Sequence, residues 1–464
     1  MIERCVNMDK QLKFDSFNSI VICSTLNQMV NYIPIMLHKI DFEEIYSIRM
    51  ENSDNELINK KFNYDNWDNN LEKVLNMVQH EQRITFRRNE ITSHEFIIKE
   101  LRKYSEKNLK DKKVLWNITG GQRHFVMAIT EFVFSERPND TIMYYDGDNE
   151  KIYYYRKNKK ILPRKILKEN VNFKISIPKA LRLMGFHVKG RENLDEPSNY
   201  YKNMKSDKIG NSDEYKWYKN FYNLYCEEGN EKLREILINS NRFQNDKNDK
   251  KEITRTVLDK IIEEIEKSDL NTTVKEMFEG EKGKTLKNSI SKHKKGKAFG
   301  YMLEKMTLYN LIEVISKNSG IKNVIADIDA DISVDDGNSS SNETVDQFDV
   351  MIATKYGKII MFECKSGSMG GDTAKSNNYS TYAISGAYGM PIIVIPVINK
   401  KNVFKVVKFE TNVLKLNSRE TDVKGNENLY EQIGIAVKSA ERANLEVCCI
   451  SQLKCFIEKY INVK

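Results

Sequence analysis

Residues 346–367 read DQFDVMIATKYGKIIMFECKSG, and this stretch decides how the second half of the chain folds. Two short apolar runs flank a turn with a central glycine, a pattern typical of a β-hairpin. Tyr356 lies seven positions after Asp349 and seven before Glu363, so a turn there would bring the two carboxylates nearly opposite each other. Lys365 lies two positions after Glu363, and alternate residues of a strand point to one face. The hairpin is therefore predicted to bring two carboxylates and an ammonium together.

Paired carboxylates beside a lysine have a chemical use. Mg²⁺ and Mn²⁺ prefer carboxylate oxygens, and two acids can hold such an ion against a phosphodiester. The ion polarises the phosphoryl oxygen and lowers the pKa of a bound water, which Lys365 would orient. The carbonyl of Cys364 is a further candidate ligand, whereas its side chain alternates away into the core. The alternative is a hairpin whose charges face solvent, since Asp followed by Glu-x-Lys is frequent by chance.

A third acid is expected from the helix that precedes the hairpin, residues 297–317, KAFGYMLEKMTLYNLIEVISK. Apolar residues follow Glu304 at helical spacing, so Glu304 shares the face that is predicted to pack inward. A carboxylate on an apolar face is costly unless it is paired or bound to a metal. The alternative is a glutamate at the helix edge that pairs with a surface lysine. Glu313 lies on the other side of the helix and is predicted to be solvated.

Together these residues resemble the PD-(D/E)xK nuclease superfamily. Asp349 matches its first catalytic acid, Glu363 and Lys365 match its E-x-K, and Glu304 corresponds to the glutamate that the preceding helix usually supplies. The chain departs from the pattern at Gln347, where many members carry an acid. The resemblance implies a mixed sheet flanked by helices and a nuclease that depends on Mn²⁺ or Mg²⁺.

The first 165 residues show a different pattern, in which short apolar runs alternate with helical segments. Strands are predicted at 18–23, 45–48, 83–86, 113–117 and 141–145, with helices between them and a closing strand or hairpin within 150–168. This alternation indicates a parallel α/β sheet of Rossmann type. Ligands of such sheets bind beyond the carboxyl ends of the strands.

Two loops at such strand ends carry groups suited to a ligand. The first offers hydroxyls and an amide at Ser24, Thr25 and Asn27. The second offers polar side chains and flexible backbone at Asn117, Thr119, Gly120, Gly121, Gln122 and Arg123. Glycine lets backbone N–H groups approach an anion, and the N-terminus of the following helix favours negative charge. The alternative is a tight turn that needs glycine for steric reasons.

The second loop reads N-x-T-G-G-x-R after a strand and resembles a signature of CARF domains, the sensor modules of type III CRISPR systems. Ser24 and Thr25 match the first-strand loop of that family more loosely. A CARF domain followed by a PD-(D/E)xK domain resembles the CRISPR ancillary nucleases that are activated by cyclic oligoadenylate, usually cyclic tetra-adenylate. The resemblance implies a homodimer with a two-fold ligand site, and cleavage of DNA, with cleavage of RNA in some members.

Two other functions are compatible with these motifs. One is a constitutive restriction or repair nuclease whose first sheet is only a dimer scaffold. The other is a non-catalytic nucleotide sensor with a degenerate nuclease fold. Cleavage that needs no ligand would identify the constitutive nuclease. Failure to bind Mn²⁺ would identify the non-catalytic sensor.

The whole chain sets broad limits on these hypotheses. Its 464 residues predict two or three domains, and a net charge of +8 fits a nucleic-acid partner without demanding one. Seven cysteines with no C-x-x-C pair argue against structural zinc and for a reducing, cytoplasmic location. No apolar run reaches membrane-spanning length, so a membrane partner is not expected. The predicted domains are a CARF ligand-sensing domain at 1–165, a largely helical connector at 166–289 and a nuclease domain at 290–464.

The connector contains a cluster of aromatic residues that admits two interpretations. Its members are Tyr215, Trp217, Tyr218, Phe221, Tyr222 and Tyr225. Exposed rings would stack on bases, but helical spacing favours packing in a core.

Overall fold

The structure is a computed structural model in which the chain groups into two compact units. The first unit comprises residues 1–174 and 179–186, and the second comprises residues 175–178 and 187–464. The structure describes residues 17, 19–25, 27–38, 44–50, 64–75, 81–87, 93–146, 151–157, 164–165, 175–240, 253–291, 298–335, 344, 346–355, 357–367, 389–398 and 427–461.

The first unit is built on a sheet of seven strands. These are β1 (Ser19–Cys23), β2 (Glu44–Met50), β3 (Glu81–Phe86), β4 (Val114–Asn117), β5 (Thr141–Asp146), β6 (Lys151–Tyr155) and β7 (Arg164–Lys165). The helices between them are α1 (Met29–His38), α2 (Tyr64–Leu75), α3 (His94–Asn108) and α4 (Arg123–Glu136). The strand order is β3-β2-β1-β4-β5-β6-β7, with β1 to β5 parallel and the last two antiparallel. The predicted Rossmann-type sheet and its closing hairpin are confirmed.

Local sequence explains this arrangement. Strand β1 is apolar along most of its length and buried throughout, as expected of a central parallel strand covered on both faces. Helix α3 begins at Ser93, whose hydroxyl accepts the N–H of Phe96 at 3.2 Å. Leu101 of α3 and Phe132 of α4 pack in one core with Trp116 of β4. The strand order reverses at β1 and β4, so their carboxyl ends form the topological switch point at which ligands bind in such sheets.

Helix α5 (Ile177–Leu183) is divided between the units: its residues 177 and 178 belong to the second unit and the rest to the first. Further helices of the second unit are α6 (Asn199–Lys205), α7 (Asp213–Cys226), α8 (Glu231–Asn239), α9 (Ile253–Lys267), α10 (Thr272–Phe278), α11 (Gly280–Ser291), α12 (Ala298–Lys317), α13 (Ser319–Val324), α14 (Glu427–Arg442) and α15 (Leu453–Ile461). Its strands are β8 (His187–Val188), β9 (Ile325–Asp335), β10 (Asp346–Thr354), β11 (Ile359–Cys364), β12 (Gly389–Ile395) and β13 (Glu446–Cys449). Helices α6 to α11, which were predicted as a connector, group with this unit.

The second sheet has the order β13-β12-β11-β10-β9-β8. Its strands β8 to β11 are antiparallel neighbours, whereas β11, β12 and β13 are parallel, which confirms the predicted mixed sheet. On helix α7, Trp217, Tyr218, Phe221 and Tyr225 are buried. Four of the six aromatic residues are therefore packed in a core, as their helical spacing favoured, and Tyr215 and Tyr222 are half-buried.

Helix α12 is buried around most of its circumference, because α7 and α15 cover the sides that the sheet leaves open. The prediction that Glu313 is solvated is therefore wrong. Its side chain is 16% exposed and pairs with Lys219 of α7 at 3.2 Å and with Lys317 at 2.5 Å.

Some predicted elements lie outside the described residues. The sequence further predicts a loop at 367–372, a helix at 374–388 and a strand at 403–409 in the nuclease domain, and of these residues only Gly367 is described. Among the described helices, none is both long enough and apolar enough to span a bilayer.

Candidate functional site

Asp349 on β10 and Glu363 on β11 lie across from each other. The strands pair with Val350 opposite Phe362, so the next step of the register puts Asp349 opposite Glu363. In the turn, Gly357 has a φ of +78°, which glycine adopts without strain. The predicted hairpin and its register are confirmed.

The acids of the hairpin and Lys365 are tied into the sheet. The backbone N–H of Cys364 donates to Asp349 Oδ2 at 2.7 Å, and that of Lys365 donates to the carbonyl of Val394 on β12 at 2.9 Å. The ammonium of Lys365 forms an ion pair with Glu363, and their side chains are 25% and 22% exposed. The pair is thus fixed at its backbone yet reachable from solvent.

Helix α12 packs on these strands and carries Glu304. The thiol of Cys364 donates to Thr307 Oγ1 at 3.4 Å, one turn after Glu304 on the helix. Cys364 is 7% exposed, which confirms the prediction that its side chain lies in the core. Glu304 is half-buried. Glu304 therefore lies one helical turn from the point at which α12 contacts Cys364 of β11.

The charges of this site act on one another. Burial and the negative charges of Asp331 and Glu363 raise the pKa of Glu304 to about 8. Burial and the charges of Glu363 and Glu304 raise the pKa of Asp349 well above its usual range. Burial alone would lower the pKa of Lys365, but the charges of Glu363 and Asp349 outweigh it and raise that pKa. The three predicted acids therefore share one electrostatic environment.

Glu304, Asp349 and Glu363 fit a hard divalent cation by their chemistry. Crowded carboxylates repel, and a cation among them relieves the repulsion while gaining the oxygen ligands it prefers. Within the part of the chain that the structure describes, no group of three or more His, Cys, Asp or Glu side chains is arranged so that it could hold a metal ion. The argument for a cation therefore rests on the carboxylate oxygens and on the repulsion between their charges. The roles of the three acids and of the Cys364 carbonyl as ligands stay predictions.

Two charged residues that the sequence analysis did not single out lie beside these acids. Lys305 follows Glu304 on α12, and its ammonium lies 3.4 Å from Asp331 Oδ2 on β9. The available signal was the row of aspartates at positions 327, 329 and 331 of β9, IADIDADISVD, because such spacing puts acids on one face. That signal is ambiguous, since Asp327 accepts backbone N–H groups and Asp329 forms an ion pair with an arginine.

The two predicted ligand loops meet at the switch point of the first sheet. Strands β1 and β4 are parallel neighbours, with Ile22 opposite Asn117. Asn117 is buried, and its amide donates to the carbonyl of Val30 at 3.2 Å and to Asn31 Oδ1 at 3.0 Å. Its own Oδ1 accepts the N–H of Thr119 at 3.1 Å and the hydroxyl of Thr119 at 2.6 Å. Asn117 therefore ties the second loop to helix α1.

The remaining predicted residues of the two loops differ in how far their side chains are exposed to solvent. The hydroxyl of Thr119 also accepts the N–H of Tyr145 at 2.8 Å, so Thr119 shapes the loop together with Asn117. Gly121, Gln122 and Arg123 are exposed, and Ser24, Thr25 and Asn27 are half-buried. Asn27 Oδ1 accepts the N–H of Met29 at 3.1 Å at the start of α1. Contacts of these residues with a ligand stay predictions.

Two glycines of the second loop pack closely against β1 and the first loop. Gly121 has a φ of +96°, and a Cβ added there would lie 2.6 Å from the Cβ of Cys23. A Cβ added at Gly120 would lie 3.0 Å from Thr25 Cγ2 and 3.2 Å from the carbonyl oxygen of Cys23. The steric reason for glycine therefore holds at Gly121, whereas a side chain at Gly120 would require its neighbours to move by a few tenths of an ångström.

Comparisons with known proteins bear on the fold. No protein-family model and no curated protein matches the sequence. Among solved structures, protein VC1899 from Vibrio cholerae matches with a TM-score of 0.52 at 13% identity, over 96% of each chain. Can2 from Sulfobacillus thermosulfidooxidans, solved in complex with cyclic tetra-adenylate, matches with a TM-score of 0.50 at 15% identity, over 96% of this chain and 98% of that one. The chain shares their fold.

Both matches span the two units of the chain and confirm the predicted fold class. That class is α/β, with a Rossmann-like sheet in the first unit, a helical segment and a mixed sheet in the second unit. Because the identities are 13% and 15%, the chemistry of the site has to be argued from this chain's own residues.

Proposed function

We propose that this chain is a metal-dependent endonuclease that a cyclic oligoadenylate activates in type III CRISPR antiviral defence. The observation that carries the proposal is the crowding of Glu304, Asp349 and Glu363, which raises the pKa values of the first two. The sensing half is supported by two adjacent loops at the switch point of a Rossmann-like sheet. The complex of Can2 with cyclic tetra-adenylate suggests the ring to try first.

In the proposed site, Glu304, Asp349 and Glu363 hold one Mn²⁺ or Mg²⁺ ion, with the Cys364 carbonyl as an additional ligand. The bound ion supplies a polarised phosphoryl oxygen and a water of lowered pKa. Asp349 is kept in orientation by the N–H of Cys364. Lys365 stays protonated, because its pKa is raised, and its ammonium orients the attacking water and stabilises charge on the phosphate.

In the proposed sensor, a homodimer presents two copies of the loops to a ring of matching symmetry. Helix α4 begins after Gln122, whose side chain makes no capping bond, and its first turn contains no acid. The backbone N–H groups there and the exposed Arg123 suit the phosphates of the ring. Ser24, Thr25 and Asn27 contact its sugars and bases. Binding of the ring shifts the nuclease toward its cleavage-competent state.

The test is DNA cleavage by the purified full-length protein with Mn²⁺, in the presence and absence of cyclic tetra-adenylate. We expect cutting to require both, to be lost in Glu363→Ala and to persist in Glu441→Ala, which alters an exposed glutamate of α14. Cutting without the ring would reject the regulation and leave the constitutive nuclease. Absence of Mn²⁺ binding in calorimetry would reject the nuclease and leave the nucleotide sensor.

The substrate and the activator are tested in one further assay. Cyclic tri-, tetra- and hexa-adenylate are crossed with single-stranded DNA, duplex DNA and RNA. We expect cyclic tetra-adenylate with DNA to be the fastest pair and RNA to be a slower substrate. A different ring as best activator would correct the sensor half and leave the metal site untouched.

A further inference from the structure

Lys305 is a buried charge at the edge of the acid cluster. It is 4% exposed and directly follows Glu304 on α12. Its Nζ donates to the hydroxyl of Tyr200 at 3.0 Å and to Asp331 Oδ2 at 3.4 Å. The rings of Tyr200 and Tyr301 lie 5.4 and 5.3 Å from the ammonium. A buried ammonium needs such partners, so the contacts fix where this charge lies.

Asp331 is placed for this contact by an unusual backbone. Its φ is +54°, a conformation that asparagine and aspartate tolerate better than other residues with a side chain. Strands β9 and β10 pair Ala330 with Val350 and Ile332 with Phe348, so Asp331 lies at the same step as Asp349. Because Glu363 is at that step on β11, three adjacent strands carry an acid at one level.

This placement puts a fourth carboxylate and a second lysine beside the proposed metal ligands. Lys305 is paired with Asp331, whereas Glu304 forms no ion pair of its own within the described residues. The charge of Asp331 raises the pKa of Glu304, and the charge of Lys305 lowers it. If Lys305 lost its partner, its charge on Glu304, the adjacent residue of the helix, would no longer be offset by that of Asp331 and would compete with a cation for that carboxylate.

We propose that Asp331, through its ion pair with Lys305, offsets the charge of Lys305 and so keeps Glu304 available to the metal ion. In this role Asp331 and Lys305 are positioning residues, because neither needs to contact the ion or the substrate. The inference rests on the proposed function, since it concerns the metal that Glu304, Asp349 and Glu363 would hold.

The test is calorimetric titration of Mn²⁺ into the full-length protein at one pH and one ionic strength. Asp331→Asn removes the charge and keeps a side chain that tolerates the backbone, and we expect it to weaken Mn²⁺ binding at least about tenfold. The double variant Asp331→Asn with Lys305→Met removes both charges and should bind within about threefold of wild type. Lys305→Gln replaces Lys305→Met if the latter does not fold.

A matched control is available at Asp207. It has a φ of 55° and pairs with Lys322 at 3.2 Å, so Asp207→Asn removes a paired charge from the same kind of backbone position. We expect this variant to bind Mn²⁺ like wild type. Recovery in the double variant is the decisive result, because a merely structural role predicts that the second substitution weakens binding further.

Three outcomes would overturn the inference. The first is that Asp331→Asn binds Mn²⁺ as tightly as Asp207→Asn does. The second is that the double variant binds Mn²⁺ as weakly as Asp331→Asn does. In both cases the proposed nuclease site stands, because wild type still binds the ion and Glu363→Ala does not. If wild type itself binds no Mn²⁺, the proposed metal site and this inference fail together.

Discussion

The loops at the end of the first sheet and the acids on the second sheet are built on opposite principles. The loops are held by neutral groups whose hydrogen bonds are satisfied within the protein, with Asn117 bonded to Val30, Asn31 and Thr119. The acid site gathers like charges, which raise the pKa values of Glu304 and Asp349.

This difference predicts how each site behaves when it is empty. The neutral loop is already in a low-energy arrangement, so disturbing it should lower the stability of the first unit. The acid site stores repulsion that a cation relieves, so removing an acid should abolish function while stabilising the empty protein. Replacing a carboxylate by an amide at the acid site should therefore raise the stability of the metal-free protein, whereas replacing an amide by a carboxylate in the loops should lower it.

The largest effect is expected from Asp349→Asn. The amide oxygen can still accept the N–H of Cys364, but a ligand charge is lost, so cleavage should fall by roughly a thousandfold. The free energy of unfolding of the metal-free protein at pH 8 should rise, because a like charge is removed. Cleavage assays and urea melts measure the two effects. A fall in stability as large as that of a core substitution would contradict the repulsion argument.

The reverse exchange, Asn117→Asp, should act on the first unit in the opposite direction. It removes the amide that donates to Val30 and Asn31 and buries a carboxylate without a cation partner. We expect a loss of about 3 kcal/mol or more in the unfolding of that unit. The control is Asn139→Asp at an exposed turn position, which should unfold like wild type. Equal melts for the two variants would show that Asn117 does not hold the loop.

Gly121→Ala tests the close packing of the ligand loops. Its matched control is Gly229→Ala, since Gly229 has a φ of +97° but no atom within 4 Å of an added Cβ. Both variants carry the strain of a left-handed alanine, about 1–2 kcal/mol. The overlap with Cys23 should add about 1–3 kcal/mol to Gly121→Ala alone and weaken binding of the ring. Indistinguishable melts and ring affinities would mean that the loop relaxes without loss.

The smallest effect is a pH dependence of the metal-free protein. The pKa of Glu304 is about 8 when folded against 4.5 for the free side chain, so between these values the folded state keeps a proton that the unfolded state releases. Stability from this group should therefore fall as pH rises from 4.5 to 8. The charged groups around Glu304 are Asp331, Asp349, Glu363, Lys305 and Lys365.

Urea melts at pH 6 and pH 8, with and without Mn²⁺, measure this effect. Asp349 contributes a slope of the same sign, because burial and the neighbouring acids raise its pKa well above its usual range, so the comparison needed is wild type against Glu304→Gln. The variant should show a shallower decline, and Mn²⁺ should flatten or reverse the wild-type decline. Identical slopes in wild type and Glu304→Gln would contradict the raised pKa.

The sequence predicted the parts of both sites that depend on local pattern. Alternating apolar runs predicted the Rossmann sheet, and the spacing of Asp349 and Glu363 about a glycine turn predicted their register, since strand pairing follows from turn position. It failed at Glu313, because the helical period of α12 cannot show that α7 covers its second side. It also overlooked Lys305, because a lysine within a helix is usually solvated.

By itself the sequence determined the alternating strands and helices of the first unit, the hairpin, and the glycine turn between β4 and α4, because these depend on periodicity and on residues near in the chain. It did not predict β9, which carries Asp331. Only the tertiary structure decided which charges meet. Asp331, Lys305 and Glu363 come from three elements, and their contacts depend on how α12 lies on the sheet. The energy of a charge depends on distance and burial, and neither can be read from positions along a chain.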